Sequence, residues 1–201
     1  MIIIKKEELR FDHMIIGDMI EEGSVVLDVG CGDGELLEYL VISKGAKGSG
    51  VEISEDAIYK CVEKGLSVSH GGIDSGLMEY PDKLFDYVIF NQTMQQVRHP
   101  KEAILEAMRI GKKVIIGFPN FCYLAARMQI FFRGRVPVTP SLPYSWYDTP
   151  NLHFLSIKDF EFFCRDQKIV IDKKIFLSKK RRVRIFPNIF ALNAILQISR
   201  G

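Results

Sequence analysis

The chain has 201 residues, 47% of them hydrophobic and 26% charged, and a formal net charge of +2. That length suits one ordinary domain with a sizeable core, and the composition excludes an intrinsically disordered chain. Near-neutral charge excludes a global pull towards nucleic acid, so any such affinity must rest on a local patch.

Strand and helix patterns alternate through residue 118. "VVLDV" (25–29) reads as a short buried strand and "ELLEYLVIS" (35–43) as a helix. "GSGVEI" (48–53) is the next strand, followed by a helix "SEDAIYKCVEKG" with Ser54 as N-cap and Gly65 as its stop. "LSVSH" is a short strand and "FDYVIF" a stronger one. "PKEAILEAMRIG" is a helix with Pro100 near its start and Gly111 past its end, and "KKVIIGF" is a strand. Such alternation predicts an α/β fold, a mostly parallel sheet with helices on both faces.

Residues 119–155 break this rhythm and are expected to form an insertion or cap on a single domain spanning 1–201. "NFCYLAARMQIFFRG" can be helical, but Pro137, Pro140, Pro143 and Pro150 forbid a helix after it. "SIKDFEFFCRD" is then a helix, with Ser156 and Asp159 spaced as a capping box. "KIVIDKKIFL" and "FALNAILQI" close the chain as two strands joined by "SKKRRVRIFPN".

The cysteines, Cys31, Cys61, Cys122 and Cys164, form no Cys-x-x-Cys pair, and three lie among apolar or helical neighbours. Reduced, buried thiols and a reducing cytoplasm are expected. The apolar run before the lysines of "MIIIKK" is too short for a signal peptide, and no apolar run approaches a membrane span.

The most informative stretch is "VLDVGCGDGE" (26–35), a strand that enters a glycine loop and opens onto a helix. A dinucleotide fingerprint needs glycine at its first, third and sixth positions. Counted from Gly30, the sixth position is Glu35, and the last glycine comes one place early at Gly34. Asp33 and Glu35 thus sit where a pyrophosphate would lie, an electrostatic conflict. A P-loop is excluded because no Lys-Ser/Thr pair follows. S-adenosylmethionine removes the conflict, since it has no phosphate and carries a positive sulfonium. Glycines at 30 and 32 let the backbone approach it. Asp28 is positioned to meet its amino group, directly or through water. Glu52, at the end of the next strand, is positioned to accept from both ribose hydroxyls, with Ile53 beside the adenine. The bland reading of Glu52 is a surface acid at a strand end.

These residues make the sequence resemble the class I S-adenosylmethionine-dependent methyltransferases and, more narrowly, the methionine biosynthesis protein MetW family. The resemblance runs through "LRFDHMII", "VLDVGCGDGELLEYL", "GVEIS", "FDYVIFNQTMQQVRHP", "RIGKKVIIGFPNF" and "RGRVPVTPSLPYSWYDTPNLHFLSIKDFEFFC". "FPNF" and "LPYSWYDTPN" are its most specific parts. The resemblance implies a Rossmann-like, seven-stranded sheet with its last strand antiparallel, and S-adenosylmethionine as cofactor. It also implies a supporting or regulatory association with homoserine O-acyltransferase in methionine biosynthesis. Many relatives carry an Asp after the third strand that binds the adenine amino group. Here "HGGID" puts Gly72 at that place, with Asp74 two residues on as the expected substitute. The expected cofactor-binding set is Asp28, Gly30, Cys31, Gly32, Glu52, Ile53, Ile73, Asp74 and Asn91.

Chemistry beyond binding is harder to read. Nucleic-acid amine methyltransferases often carry Asn/Asp-Pro-Pro-aromatic after the fourth strand, and "NQTMQQ" lacks those prolines. Gln92, Gln95 and Gln96 can orient an acceptor but are poor bases. His70, His99 and His153 lie in no sequence motif that supports a base, and the histidines and cysteines show no metal-ligand spacing. No catalytic residue and no metal are assigned. Tyr144, Trp146 and Tyr147, within the loop 134–154, serve either to pack that loop on the sheet's carboxyl edge or, functionally, to cap the cofactor site or anchor a partner. The basic run 179–184 reads first as a solvated hairpin edge, with RNA or an acidic protein surface as sharper options. The leading reading is a cofactor-binding protein that supports homoserine acylation; the alternative is a methyltransferase acting on a small molecule.

Overall fold

A computed structural model describes residues 9–201, apart from the side chains of Asp74 and Ser75. In chain order the elements are α1 (Phe11–Gly17), β1 (Val25–Val29), α2 (Glu35–Lys44), β2 (Lys47–Glu52), α3 (Glu55–Glu63), β3 (Ser67–His70), α4 (Ile73–Gly76) and β4 (Phe85–Asn91). A single 3-10 turn (Met94–Gln96) precedes α5 (Pro100–Ile110), β5 (Gly111–Pro119), α6 (Leu124–Arg133) and α7 (Ile157–Asp166). The chain finishes with β6 (Ile169–Ser178), β7 (Arg181–Arg182), α8 (Pro187–Phe190) and β8 (Asn193–Arg200).

The strands form one sheet in the order β3-β2-β1-β4-β5-β8-β6-β7. The pairs among β1 to β5 are parallel, and β8 runs antiparallel to both β5 and β6. The expected mostly parallel α/β architecture holds, with an eighth strand added to the expected seven. That strand, β7, has two residues and pairs Leu177 with Arg182 and Ser178 with Arg181. It lies inside the basic run, where no apolar alternation marks it, and its charged residues suit an edge that must not pair further.

Both faces of the sheet are apolar, as buried parallel strands require. Leu27, Val88, Phe90, Val114 and Ile116 pack with α5 and α7 through Ala103, Ile104, Ala107, Ile157 and Phe160. Their chain neighbours Val26, Tyr87, Ile89 and Ile115 face the other way, against Ile15 and Ile16 of α1 and Leu36 and Leu40 of α2. The two-residue period of a strand does this sorting.

Local chemistry sets the element ends. Ser54 caps α3 by accepting from Ala57 N at 3.4 Å. Ser156 and Asp159 form the reciprocal capping box of α7. The sequence reading missed α1 and started the last strand too early, because Pro187 begins a short helical turn that removes Phe190 from β8. No helix among the described residues is long and apolar enough to cross a membrane.

Candidate functional site

Strand order reverses between β1 and β4, and crevices at the carboxyl edge of such a switch point are where open α/β sheets bind ligands. Three segments converge there: the glycine loop after β1, the end of β2, and the turn after β4. They enclose a cleft of ≈ 420 Å³ lined by Gly30, Gly32, Glu52, Ile53, Gly72, Ile73, Asn91, Gln92, Thr93 and Gln96, among others. A smaller recess of ≈ 130 Å³ shares Gly30, Gly32 and Asn91 with it and adds Arg10, His13, Asp28, Cys31 and Asp33. The two adjoin at these shared residues.

The loop is built by backbone geometry. Gly30 has φ +73°, and a Cβ there would fall 2.4 Å from Thr93 Cγ2, so both conformation and space demand glycine. Gly30 N donates to Val51 O at 2.8 Å, which ties the loop to β2. Gly32 has φ +56° and faces open space.

Glu52 closes this tie. One carboxylate oxygen accepts from Gly32 N at 2.8 Å. The other accepts from Ile53 N at 2.8 Å and Ser54 N at 2.9 Å. A carboxylate has about four acceptor sites, so three backbone donors leave little spare capacity. The surface-acid reading of Glu52 is thereby displaced, and the side chain is a clasp between two loops.

Asp28 is 2% exposed at the base of the recess. Burial, with the Glu52 charge adding to it, pushes its carboxyl up to about 7. His13 lines the same recess, and burial pushes its imidazole down to about 4, so it is neutral at pH 7, with Nδ1 unpartnered among the described residues. Burial also raises the Asp12 carboxyl, but Arg10 and Asn91 outweigh it and the net shift is downward. Asn91 Nδ2 donates to Asp12 Oδ2 at 3.0 Å, while its Oδ1 is buried without a partner among the described residues. Burial pushes the Cys31 thiol up, which excludes a nucleophilic thiolate. Its sulfur lies against Gly50, where an added Cβ would come within 2.6 Å.

Most of the expected residues therefore meet in one place. Ile53 is 69% exposed on the rim, and Ile73 and Gly72 form the opposite side. The side chain of Asp74 lies outside the described residues, so its expected adenine contact is not placed. Of the three glutamines, Gln92 and Gln96 line the cleft. Gln95 is buried scaffold instead: its Nε2 donates to Gln92 O at 2.7 Å, and its carbonyl accepts from Leu152 N and His153 N at 2.8 and 3.1 Å. His153 lies away from the cleft, in a separate depression with Met94, Pro100 and Phe163. His70 Nε2 lies 3.2 Å from Ile53 O. No cluster of three or more potential metal ligands occurs among the described residues.

Sequence reasoning missed Arg10, His13 and Thr93. Arg10 and His13 lie in "LRFDHMII", where the spacing of Phe11, Ile15 and Ile16 was the available signal for a helix. Thr93 carries no sequence signal; only its packing on Gly30 reveals it.

The long loop is anchored at its base. Phe121 N donates to Leu155 O at 3.1 Å, and the Phe121 and Phe154 rings stand 4.7 Å apart. Its tip carries Trp146, 73% exposed, in edge-on contact with Tyr147. Core packing is thus ruled out for Trp146.

Comparison with known proteins places this geometry. The family model described as methionine biosynthesis protein MetW matches residues 10–198. The bifunctional methionine biosynthesis protein MetXA/MetW of Rhodopirellula baltica is 33% identical over 189 residues, covering 90% of this chain; the chain spans 30% of that relative's length. An S-adenosylmethionine-dependent methyltransferase from Mesorhizobium loti superposes with a TM-score of 0.70 at 12% identity, over 94% of this chain and 98% of that one. A Thermotoga maritima S-adenosylmethionine-dependent methyltransferase, described as a possible histamine N-methyltransferase, gives 0.66 at 16% identity over 94% and 87%. Identities this low speak for the fold alone. The chain belongs to the methionine biosynthesis protein MetW family and has the Rossmann-like fold of class I S-adenosylmethionine-dependent methyltransferases.

Proposed function

We propose that this protein binds S-adenosylmethionine in the cleft between β1, β2 and β4 and supports or regulates homoserine O-acyltransferase in methionine biosynthesis. The observation that carries the binding reading is the Glu52 clasp on the glycine loop: an acid in a cleft also lined by Gly30, Gly32, Gly71 and Gly72. The residues fit the group. Asp28 is buried with no cationic partner among the described residues, which favours a ligand bearing an ammonium. Ile53 and Ile73 offer apolar faces for an adenine, and Glu52, with about one acceptor site left, has room for one ribose hydroxyl rather than the expected two. Asn91 keeps an unused buried oxygen at the junction of cleft and recess.

S-adenosylmethionine, when bound, supplies an electrophilic methyl group. The polar groups that line this side of the cleft are the amides of Asn91, Gln92 and Gln96, the Thr93 hydroxyl and the Arg98 guanidinium, which stays protonated. Such groups orient a ligand but do not take up protons near neutral pH. Asp28, pushed up to about 7 in the adjoining recess, can exchange a proton but is engaged by the ligand ammonium in this reading, so the set favours a binding and supporting role over methylation of an acceptor that must first be deprotonated. The acyltransferase association is supported by the family resemblance and by the relative whose name joins MetXA and MetW in one chain.

Calorimetry with S-adenosylmethionine, S-adenosylhomocysteine and NAD tests the cofactor. Tight adenosyl binding with much weaker NAD is expected, and NAD binding equally well sinks the reading. Acyl transfer and methyl release, measured with the protein alone and with a homoserine O-acyltransferase, test the role. Altered acyl transfer is expected. An acyltransferase indifferent to this protein removes the supporting role, and methyl release with a defined acceptor establishes the enzymatic alternative.

A further inference from the structure

A second cleft of ≈ 510 Å³ lies beside the adenosyl site, between the start of α1, the Pro140–Ser141 corner of the long loop and the turn joining β6 to β7. Gln92 lines both clefts, and Arg10 lines both this cleft and the Asp28 recess. An occupant would be adjacent to whatever the adenosyl site holds.

Its charge is one-sided. Arg10 and Asp12 neutralise each other, with Nη2 to Oδ2 at 2.7 Å and Nε to Oδ1 at 3.2 Å. That leaves Lys179 and Lys180, which have no acidic partner among the described residues. The apolar part of the lining includes Phe11 and Leu177. A cleft of this size takes a small molecule, and its chemistry asks for an anionic head with a short aliphatic body.

The backbone adds an independent argument. Ser178 pairs with Arg181, so Lys179 and Lys180 form a two-residue hairpin turn. Lys179 has φ +53°, a conformation that such turns normally give to glycine, asparagine or aspartate. A lysine held there breaks the local rule with no local gain, and such breaches concentrate at functional sites.

We propose that this cleft binds a small oxyanion-bearing molecule, a carboxylate or a phosphate ester, through Lys179 and Lys180 beside the adenosyl site. The amide signals of Ser141, Leu177 and Asn193 are followed by NMR during titration with succinate, inorganic phosphate or sodium chloride at matched ionic strength. Each titration is run with and without S-adenosylhomocysteine. Saturable shifts are expected with succinate or phosphate and not with chloride; the arm that saturates names the source. Lys179→Gln with Lys180→Gln is expected to weaken that binding at least tenfold with adenosyl affinity unchanged. Lys179→Gly is expected to weaken anion binding while keeping or raising the Tm, because it relieves the backbone. Equal responses to chloride, or undiminished binding in both variants, overturn the proposal. Since anion binding is read without adenosyl ligand, its failure is distinct from a failure of the adenosyl site.

Discussion

Glu52 and Gly32 are joined by a 2.8 Å hydrogen bond from the Gly32 amide to the Glu52 carboxylate, across the gap between two strand ends. The same carboxylate that faces the cleft holds the glycine loop in shape. In the proposed reading, binding and loop order are therefore coupled through one side chain.

Glu52→Ala should lower adenosyl affinity by at least the worth of charged hydrogen bonds, about 1.5–3 kcal/mol, or roughly ten- to a hundredfold. It should also lower the Tm, because Gly32, Ile53 and Ser54 lose their acceptor. Glu52→Gln keeps one acceptor oxygen and should lose less of both. Calorimetry and thermal melts on the pair check this. Full affinity in Glu52→Ala would remove the residue from the site.

Protonation of Asp28 should be visible in binding. Its folded value of about 7 lies above its ordinary 3.8, so its contribution to stability is full below pH 3.8 and lost as pH rises through 7. His13 has the opposite sign: its value falls from 6.5 to about 4, so its contribution is full above pH 6.5 and lost as pH falls through 4. The two slopes oppose each other in the ligand-free wild type. Asp28→Asn should leave a stability profile that rises with pH across this window. S-adenosylhomocysteine, whose ammonium meets ionised Asp28, should bind more tightly as pH rises towards 7, by up to about tenfold per unit. Methylthioadenosine, which lacks the amino acid portion, should show a flatter profile. Parallel profiles for the two ligands would exclude the Asp28 contact.

Gly72→Asp should fold. Gly72 has φ −83° and a Cβ there meets nothing within 4 Å. Aspartate is also favoured at this position before a helical turn. Unchanged or tighter adenosyl binding is expected by calorimetry, with the Tm unchanged. Loss of binding in a folded variant would show that the acid points into space the ligand needs.

Trp146→Ala should leave the Tm and adenosyl affinity nearly unchanged, since the indole is 73% exposed. If the loop tip anchors homoserine O-acyltransferase, affinity for that partner should fall by about 2 kcal/mol, roughly thirtyfold. Prolines around the tip reduce the ordering cost of such a contact. Partner affinity that does not change would place the interface elsewhere.

The central sheet was legible because buried parallel strands carry dense apolar runs, as in "VVLDV" and "FDYVIF". Ser54, Ser156 and Asp159 announced their helix starts by local hydrogen-bond chemistry. The site was legible where residue type and spacing act together, as at Gly30, Gly32 and Glu52. It was not legible where contacts are long-range: Arg10 and His13 reach the recess from a helix before the first strand, and Thr93 acts by touching Gly30. Charged β7 and the turn at Pro187 escaped notice because neither carries an apolar period. The crowding of Glu52 by three backbone donors is likewise a property of the folded loops alone.

The Gln95 carbonyl accepts from both Leu152 and His153, while Phe121 and Leu155 pair close by. The long loop is thus stitched twice at its neck, while its exposed tip is held by a turn of its own, Asp148 N donating to Ser145 O at 3.1 Å. Insertions should follow that division. A peptide tag or fluorophore placed between Trp146 and Tyr147 enters exposed chain, where extra length costs little closure entropy. The same insertion between Asn151 and His153 would unseat the turn that also carries Thr93 and Gln96. For engineering, the tip is a port on the adenosyl cleft's own scaffold, and the neck is its frame.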